Sequence, residues 1–288
     1  MIIDLFLFTI GFLGILIASI SDIKTQEVPD FVTYSMIFSG LSLRALHAFT
    51  YNELSYFTFA LINLSIFFVI ANILYYTKQW GGGDAKLLMG ISVVFATYPN
   101  FLLQYFTPKI SISFPLAIFI NILLIGLIYN LIWAIVLAIK NKQKFIKEFK
   151  NINKKLKITK KLIFLIIILL IFSSIMLKTS LILIFVILLI FTFYLTIFIK
   201  AIENACMLKI ISIKELREGD WIQQNISYKN KLIYKKSFTG VSKKQIYLIK
   251  KTNLKKILIK EGIPFTSVFL LAFILSIILG NPILYLIQ

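Results

Sequence analysis

Apolar residues in this chain gather into runs of near-membrane length, separated by short polar stretches. The runs cover residues 2–20, 31–49, 55–76, 85–106, 111–139, 162–177, 181–199 and 262–286. About 20 consecutive apolar residues wound as a helix cross the roughly 30 Å hydrocarbon layer of a bilayer, so each run predicts a spanning helix. Pro99 predicts an early end to the fourth, and the sixth is slightly short for a span. The first run has no basic start and no small-residue cleavage site, so it reads as a retained helix and not a signal peptide.

The stretch 201–260 alone is long and polar enough for a water-exposed domain. Ser212 with Glu215 and Ser242 with Gln245 each fit a capping box, and residues 221–228 and 232–236 read as a hairpin turning at Lys229-Asn230-Lys231. The expected fold is therefore an all-α polytopic membrane protein of about eight transmembrane helices with a small α+β cytoplasmic domain. The expected divisions are a five-helix membrane core (1–140), a basic loop with a two-helix hairpin (141–200), the small basic domain (201–261) and a last helix (262–288).

Composition supports the membrane reading. Apolar residues make up 59% of the 288 and charged ones 15%, against about 45–50% and 25% in soluble domains. The formal charge of +19 is concentrated, with ten basic residues in 140–161 and fifteen in 200–260. Beside spanning helices this is the positive-inside signal and an attraction to anionic lipid headgroups, so membrane lipid and not nucleic acid is the expected partner. With eight spans, one orientation leaves only Arg44, Lys109 and Lys178 outside and 28 of the 31 basic residues inside. The N-terminus is then outside. A single cysteine, Cys206, leaves no internal disulfide and no CxxC metal module.

Charge at a bilayer edge is costly, and two aspartates sit there. Asp22 closes the first run, and Asp84 opens the fourth after Gly81-Gly82-Gly83. Asp84 as a helix cap and Asp22 as a solvated partner of Lys24 are the plainer alternatives. Two carboxyl groups on one predicted side of the membrane favour a dyad in which one ionises and its partner keeps a proton, the chemistry of aspartic proteolysis. Such a pair activates water unaided, so no metal or organic cofactor is expected. The glycines allow close backbone approach beside Asp84. The alternative function is a transporter or channel that uses the edge carboxylates as a cation relay, although the helices offer few polar groups at mid-depth.

Ser21-Asp22-Ile23-Lys24-Thr25-Gln26-Glu27-Val28-Pro29-Asp30 together with Gly81-Gly82-Gly83-Asp84-Ala85-Lys86-Leu87-Leu88-Met89-Gly90 resembles the type IV prepilin peptidase family, polytopic aspartic proteases of the GxGD kind. Leu216-Arg217-Glu218-Gly219-Asp220-Trp221-Ile222, Thr239-Gly240-Val241-Ser242 and Glu261-Gly262-Ile263-Pro264-Phe265 resemble the C-terminal part of its archaeal preflagellin peptidases. The resemblance implies that Asp22 and Asp84 form the catalytic pair, with Gly81, Gly82 and Gly83 shaping the site around Asp84; Lys24 and Lys86, two residues after each aspartate, are candidates to tune the pair or to contact lipid headgroups. It implies cleavage of class III signal peptides from preflagellin and pilin-like precursors at the cytoplasmic face of the cell membrane. Leaders of such precursors are basic, which nominates Glu27 and Asp30 as substrate-binding acids. Against the six-helix pattern of the short archaeal enzymes, residues 141–199 read as an inserted loop and hairpin, and the zinc-binding cysteines of bacterial members are missing.

Overall fold

The computed structural model describes residues 2–77, 79–228, 231–236, 240–252 and 254–282. Among them are ten α-helices and five strands, divided between two compact units: residues 1–131 with 263–288, and residues 132–262.

The first unit holds α1 (Ile2–Thr25), α2 (Asp30–Tyr51), α3 (Leu54–Tyr76), α4 (Gly82–Val94), most of α5 (Phe114–Lys140) and α10 (Thr266–Leu279). Short α4 is its centre, packed against α2, α3 and α1, while α1 also packs along α10. Eight of the thirteen α4 residues are buried. Small residues let the backbones close in: a Cβ at Gly40 would stand 2.9 Å from Val93 Cγ1, and one at Gly14 would stand 2.4 Å from Met36 Sδ. Aromatic contacts fill the rest of the core, with Phe95 and Phe273 at 4.4 Å between ring centroids. The outward faces carry Phe31, Phe38, Phe49 and Leu127 in the open, as suits helices bathed in lipid.

Among the described residues, five helices are long and apolar enough to cross a membrane: α1, α3, α5, α7 (Lys157–Met176) and α8 (Leu181–Ala205). The other three expected spans are not among these five. The second run is helical as α2, but Asp30, Arg44 and His47 make it less apolar. The run 85–106 is two pieces: α4 stops at Val94, and a 3-10 turn, Asn100–Gln104, follows Pro99. Proline has no N–H to give and disfavours helical dihedrals in the residue before it, which prevents one continuous helix. In the last run, helix begins only at Thr266 and ends before Gly280, whose φ is +72°; residues 283–288 of that expected span lie outside the described ones.

The second unit contains the end of α5, α6 (Lys142–Lys155), α7, α8 and the small sheets. The expected basic loop after residue 140 is instead helix α6, because its Phe145, Phe149 and Ile152 recur at helical spacing and pack toward α8, Phe145 lying 5.5 Å from Phe198. Strands β1 (Leu208–Ser212), β2 (Trp221–Ile222) and β5 (Lys256–Lys260) form an antiparallel sheet in the order β1-β5-β2. A separate hairpin joins β3 (Ile226–Tyr228) to β4 (Lys231–Tyr234). The expected hairpin is thus shorter, since Trp221 and Ile222 pair with Lys260 and Ile259 instead; Lys229 and Asn230 of its turn lie outside the described residues. Ser242 and Gln245 form the capping box of α9 (Lys243–Lys250). Ser212 opens only a 3-10 turn, its hydroxyl accepting from the Lys214 N–H. Ile222, Tyr234, Ile249 and Ile257 centre the core of this domain.

One buried cation determines how α4 ends. Arg44 is 1% exposed. Its Nε donates to the Val93 carbonyl at 2.9 Å, and its Nη2 to the Val94 carbonyl at 3.0 Å and to Thr97 Oγ1 at 3.3 Å. The guanidinium lies 4.5 Å from the centroid of the Tyr56 ring, whose hydroxyl donates to Asp4. Carbonyls of a helix's last turn lack intrahelical donors, and a cation also suits the negative end of the helix dipole, so this fork satisfies two needs at once. Methionine at position 44 matches the length but leaves the Val94 carbonyl without the Arg44 donor and the Val93 carbonyl with only the long Ala96 N–H bond at 3.4 Å, an expected loss of about 2 kcal/mol. Thermal unfolding in detergent should show the lowered Tm, and an unchanged Tm would overturn the clamp.

Candidate active site

The end of α1 is shaped by hydroxyls. Thr25 Oγ1 donates to the Ser21 carbonyl at 2.9 Å, and Ser21 Oγ donates to the Glu27 carbonyl at 2.8 Å. Gln26 takes a left-handed φ of 56° and gives its N–H to the Asp22 carbonyl at 2.8 Å, which ends the helix and turns the chain toward Pro29 at the head of α2. Asp22 is thereby held in the last turns of α1 with its side chain buried.

Asp84 arrives from the other direction. Gly81 is the N-cap of α4 and Asp84 the third residue of the helix. Its carboxyl reaches back to the Gly81 N–H, half of a capping box, so the cap position belongs to Gly81 and not to Asp84. The three glycines do different things. A Cβ at Gly83 would come within 2.8 Å of Val28 Cβ, so only glycine lets α4 begin against the α1–α2 turn. A Cβ at Gly81 would press on Asp84 Oδ2 at 3.2 Å, and one at Gly82 would touch the Tyr75 ring. Just upstream, Trp80 stacks among Phe119, Phe265 and Phe269, tying the glycine stretch to α5 and α10.

The two aspartates, 62 positions apart in sequence, meet at one residue. The Thr266 N–H donates to Asp22 Oδ2 at 2.8 Å, and the Thr266 hydroxyl donates to Asp84 Oδ1 at 3.2 Å. Thr266 is fully buried. Ser19 Oγ donates to its carbonyl at 3.1 Å, and Tyr129 Oη donates to the Pro264 carbonyl at 3.0 Å, so the start of α10 is pinned from both α1 and α5. Thr266 is the residue that reading the sequence missed. The signal nearest to it was the Gly262-Ile263-Pro264-Phe265 segment directly before it, whose proline and glycine keep the chain non-helical up to that point.

Asp84 lies ahead of the stretch beginning at Ala85 that was expected to enter the bilayer. Dense protein around its carboxyl pushes its pKa up to about 7; the Asp22 charge adds to the rise, and the bonds from Thr266 and Gly81 work against it. Asp84 thus keeps its proton to near neutrality.

The remaining sequence candidates lie around this centre. Lys86 Nζ bonds Asp30 Oδ1 at 2.6 Å and sits 5.5 Å from the Tyr34 ring centroid, so these two candidates engage each other. Lys24 and Glu27 are exposed at the end of α1 and in the turn after it. Among the described residues no three His, Cys, Asp or Glu side chains gather as a metal-ligand set.

Comparison with known proteins adds relatives to this geometry. Residues 9–139 match the family model described as the type IV leader peptidase family. The preflagellin peptidase of Methanocaldococcus jannaschii is 28% identical over 141 residues, covering 46% of this chain and 57% of that protein. The preflagellin peptidase of Methanococcus voltae is 31% identical over 151 residues, covering 49% and 63%. The prepilin peptidase EppA of Methanothermobacter thermautotrophicus is 29% identical over 154 residues, covering 52% and 40%. The chain therefore spans about 40–63% of the length of these relatives. The matched segment runs from within α1 to within α5 and carries Asp22, the three glycines and Asp84, so this part of the chain is similar to the type IV leader peptidase family.

Proposed function

We propose that this protein is a membrane aspartic endopeptidase that removes class III signal peptides from preflagellin and pilin-like precursors at the cytoplasmic face of the membrane. The carrying observation is the bridge at Thr266, which holds the Asp22 and Asp84 carboxyls on adjacent donors of one buried residue. The names of the relatives supply the substrate class, and the concentration of basic residues on one expected side supplies the face.

The chemistry follows from a pair that shares one proton. The ionised carboxylate takes a proton from a water lying between the two groups as its oxygen attacks the scissile carbonyl carbon. The protonated carboxyl gives its proton to the carbonyl oxygen, and the tetrahedral adduct forms without a free oxyanion. Collapse breaks the C–N bond: the proton first taken from water passes to the departing amine, a hydroxyl of the adduct returns its proton to the carboxylate that had acted as acid, and the pair regains its starting protonation. Glu27 remains exposed in the turn beside the pair, where it suits a basic leader, while Asp30 is occupied by Lys86. Lysines on the same face suit lipid headgroups.

Two outcomes test the reading. Asp22→Asn and Asp84→Asn should each reduce cleavage of a pilin-like precursor in vesicles by roughly 10³-fold or more while expression and insertion persist. Substantial cleavage by either variant would sink the dyad. Because Asp84 holds its proton up to about pH 7 and the reaction consumes that proton, kcat should be retained below that pH and fall as pH rises through it. A rate that climbs steadily from pH 6 to pH 9 would contradict the assignment of a protonated partner.

A further inference from the structure

We propose that Thr266 divides the labour of the dyad, holding Asp22 as the resident carboxylate with its backbone N–H and presenting Asp84 as the resident acid with its hydroxyl. The inference rests on the aspartic dyad of the preceding section and deepens it, because a symmetric pair would leave either residue free to act as base.

The asymmetry begins with backbone geometry. Thr266 is the first residue of α10, so its N–H has no carbonyl four residues back to bond, and the positive end of the helix dipole lies there. Asp22 Oδ2 occupies that donor at 2.8 Å. A buried carboxyl group is tolerable only when such donors replace its lost water, and the free N–H at a helix start is a donor suited to a carboxylate oxygen. Proline aside, no side-chain substitution at 266 removes this donor, so Asp22 keeps this bond in the variants used below.

Asp84 receives a different partner from the same residue. The Thr266 hydroxyl donates to its Oδ1 at 3.2 Å, the bond of a neutral donor to one carboxyl oxygen, which orients the group; Oδ2 lies beside Gly81 and has a second lone-pair site for the proton. The hydroxyl itself is oriented by its surroundings. Thr266 is fully buried, Ser19 holds its carbonyl, and its β-branched side chain has few rotamers available. The ionisable groups around the pair are Tyr129 of α5, which bonds the Pro264 carbonyl; Tyr75 of α3, which lies beside Gly82; Lys86 of α4 with Asp30 of α2; and Lys24 at the end of α1.

The test measures kcat and KM against pH for cleavage of a synthetic precursor peptide, with a basic leader ahead of an apolar helix, by the full-length protein in lipid vesicles. Thr266→Val keeps the shape and removes the hydroxyl. It should lower kcat by about tenfold with KM within about twofold, and move the alkaline limb to higher pH, because the lost donor had favoured ionised Asp84. Thr266→Ser restores the hydroxyl and should restore both the rate and the limb. Thr266→Ala removes the same hydroxyl in a smaller side chain and must move the limb the same way, which decides the matter if the valine variant does not insert. A wild-type limb in the hydroxyl-free variants, with or without a loss of rate, would overturn the role of Thr266 while Asp22→Asn and Asp84→Asn stay inactive. Activity in either asparagine variant would instead overturn the dyad and the inference with it.

Discussion

A carboxylate taken out of water has to be met by donors, and in this protein Asp22 is met by the first N–H of the last helix. Much else in the first unit serves that contact. The chain must return after more than 240 residues to lay α10 along α1. Pro264 must be held by Tyr129, and Gly126 must leave room for the Phe265 ring, which lies 3.0 Å from where its Cβ would be. The far end of α10 is secured in the same spirit: Asn121 Nδ2 donates to Ser276 Oγ and to the Gly280 carbonyl, and Lys109 pairs with the backbone at the helix end.

Helix α4 is the counterpart of that arrangement. At thirteen residues it is too short to be anchored by length, so both of its ends are satisfied by polar groups. At the start, Gly81 and Asp84 close half a capping box, and Gly83 admits Val28. At the finish, Arg44 seals two carbonyls deep in an apolar setting. A helix fixed at both ends and buried on most of its surface is a stiff mount, and a catalytic carboxyl needs one because rates fall steeply when reacting groups stray by an ångström. The Arg44 side chain acts at the end of α4 opposite the aspartate and supports the site through the helix itself.

The second unit carries the densest charge in the chain. Lysines line α6 opposite its phenylalanines, and further basic residues surround the small sheets. Ion pairs temper a few of them, Lys260 with Glu203 and Lys209 with Glu261, but exposed pairs of this sort contribute roughly 0–1 kcal/mol each. Their greater effect is on topology and on attraction to anionic headgroups. Among the described residues, a core of isoleucines with Tyr234 lies beneath the small sheets of this unit.

Much of this was legible from local pattern. Runs of apolar residues sufficed to place the five long apolar helices, since burial in lipid demands an apolar surface over a fixed length. Asp22 and Asp84 stood out because charge at a membrane edge is costly, and the Ser242-to-Gln245 spacing alone was enough to place a helix start. Other features depend on partners distant in the chain. The break of the fourth run after Val94 involves Arg44 from another helix as well as Pro99. The release of Trp221 and Ile222 from their expected hairpin depends on β5, nearly forty residues later. Thr266 looks like an ordinary threonine in an apolar run until α10 is laid against α1 and α4. The sequence by itself determined that the chain is a membrane protein with two exceptional carboxyl groups, because hydrophobicity and charge are properties of residues. Only the tertiary structure decided that one buried threonine joins those groups, because a hydrogen bond requires two atoms to be brought within 3 Å and no local pattern records which distant atom will arrive.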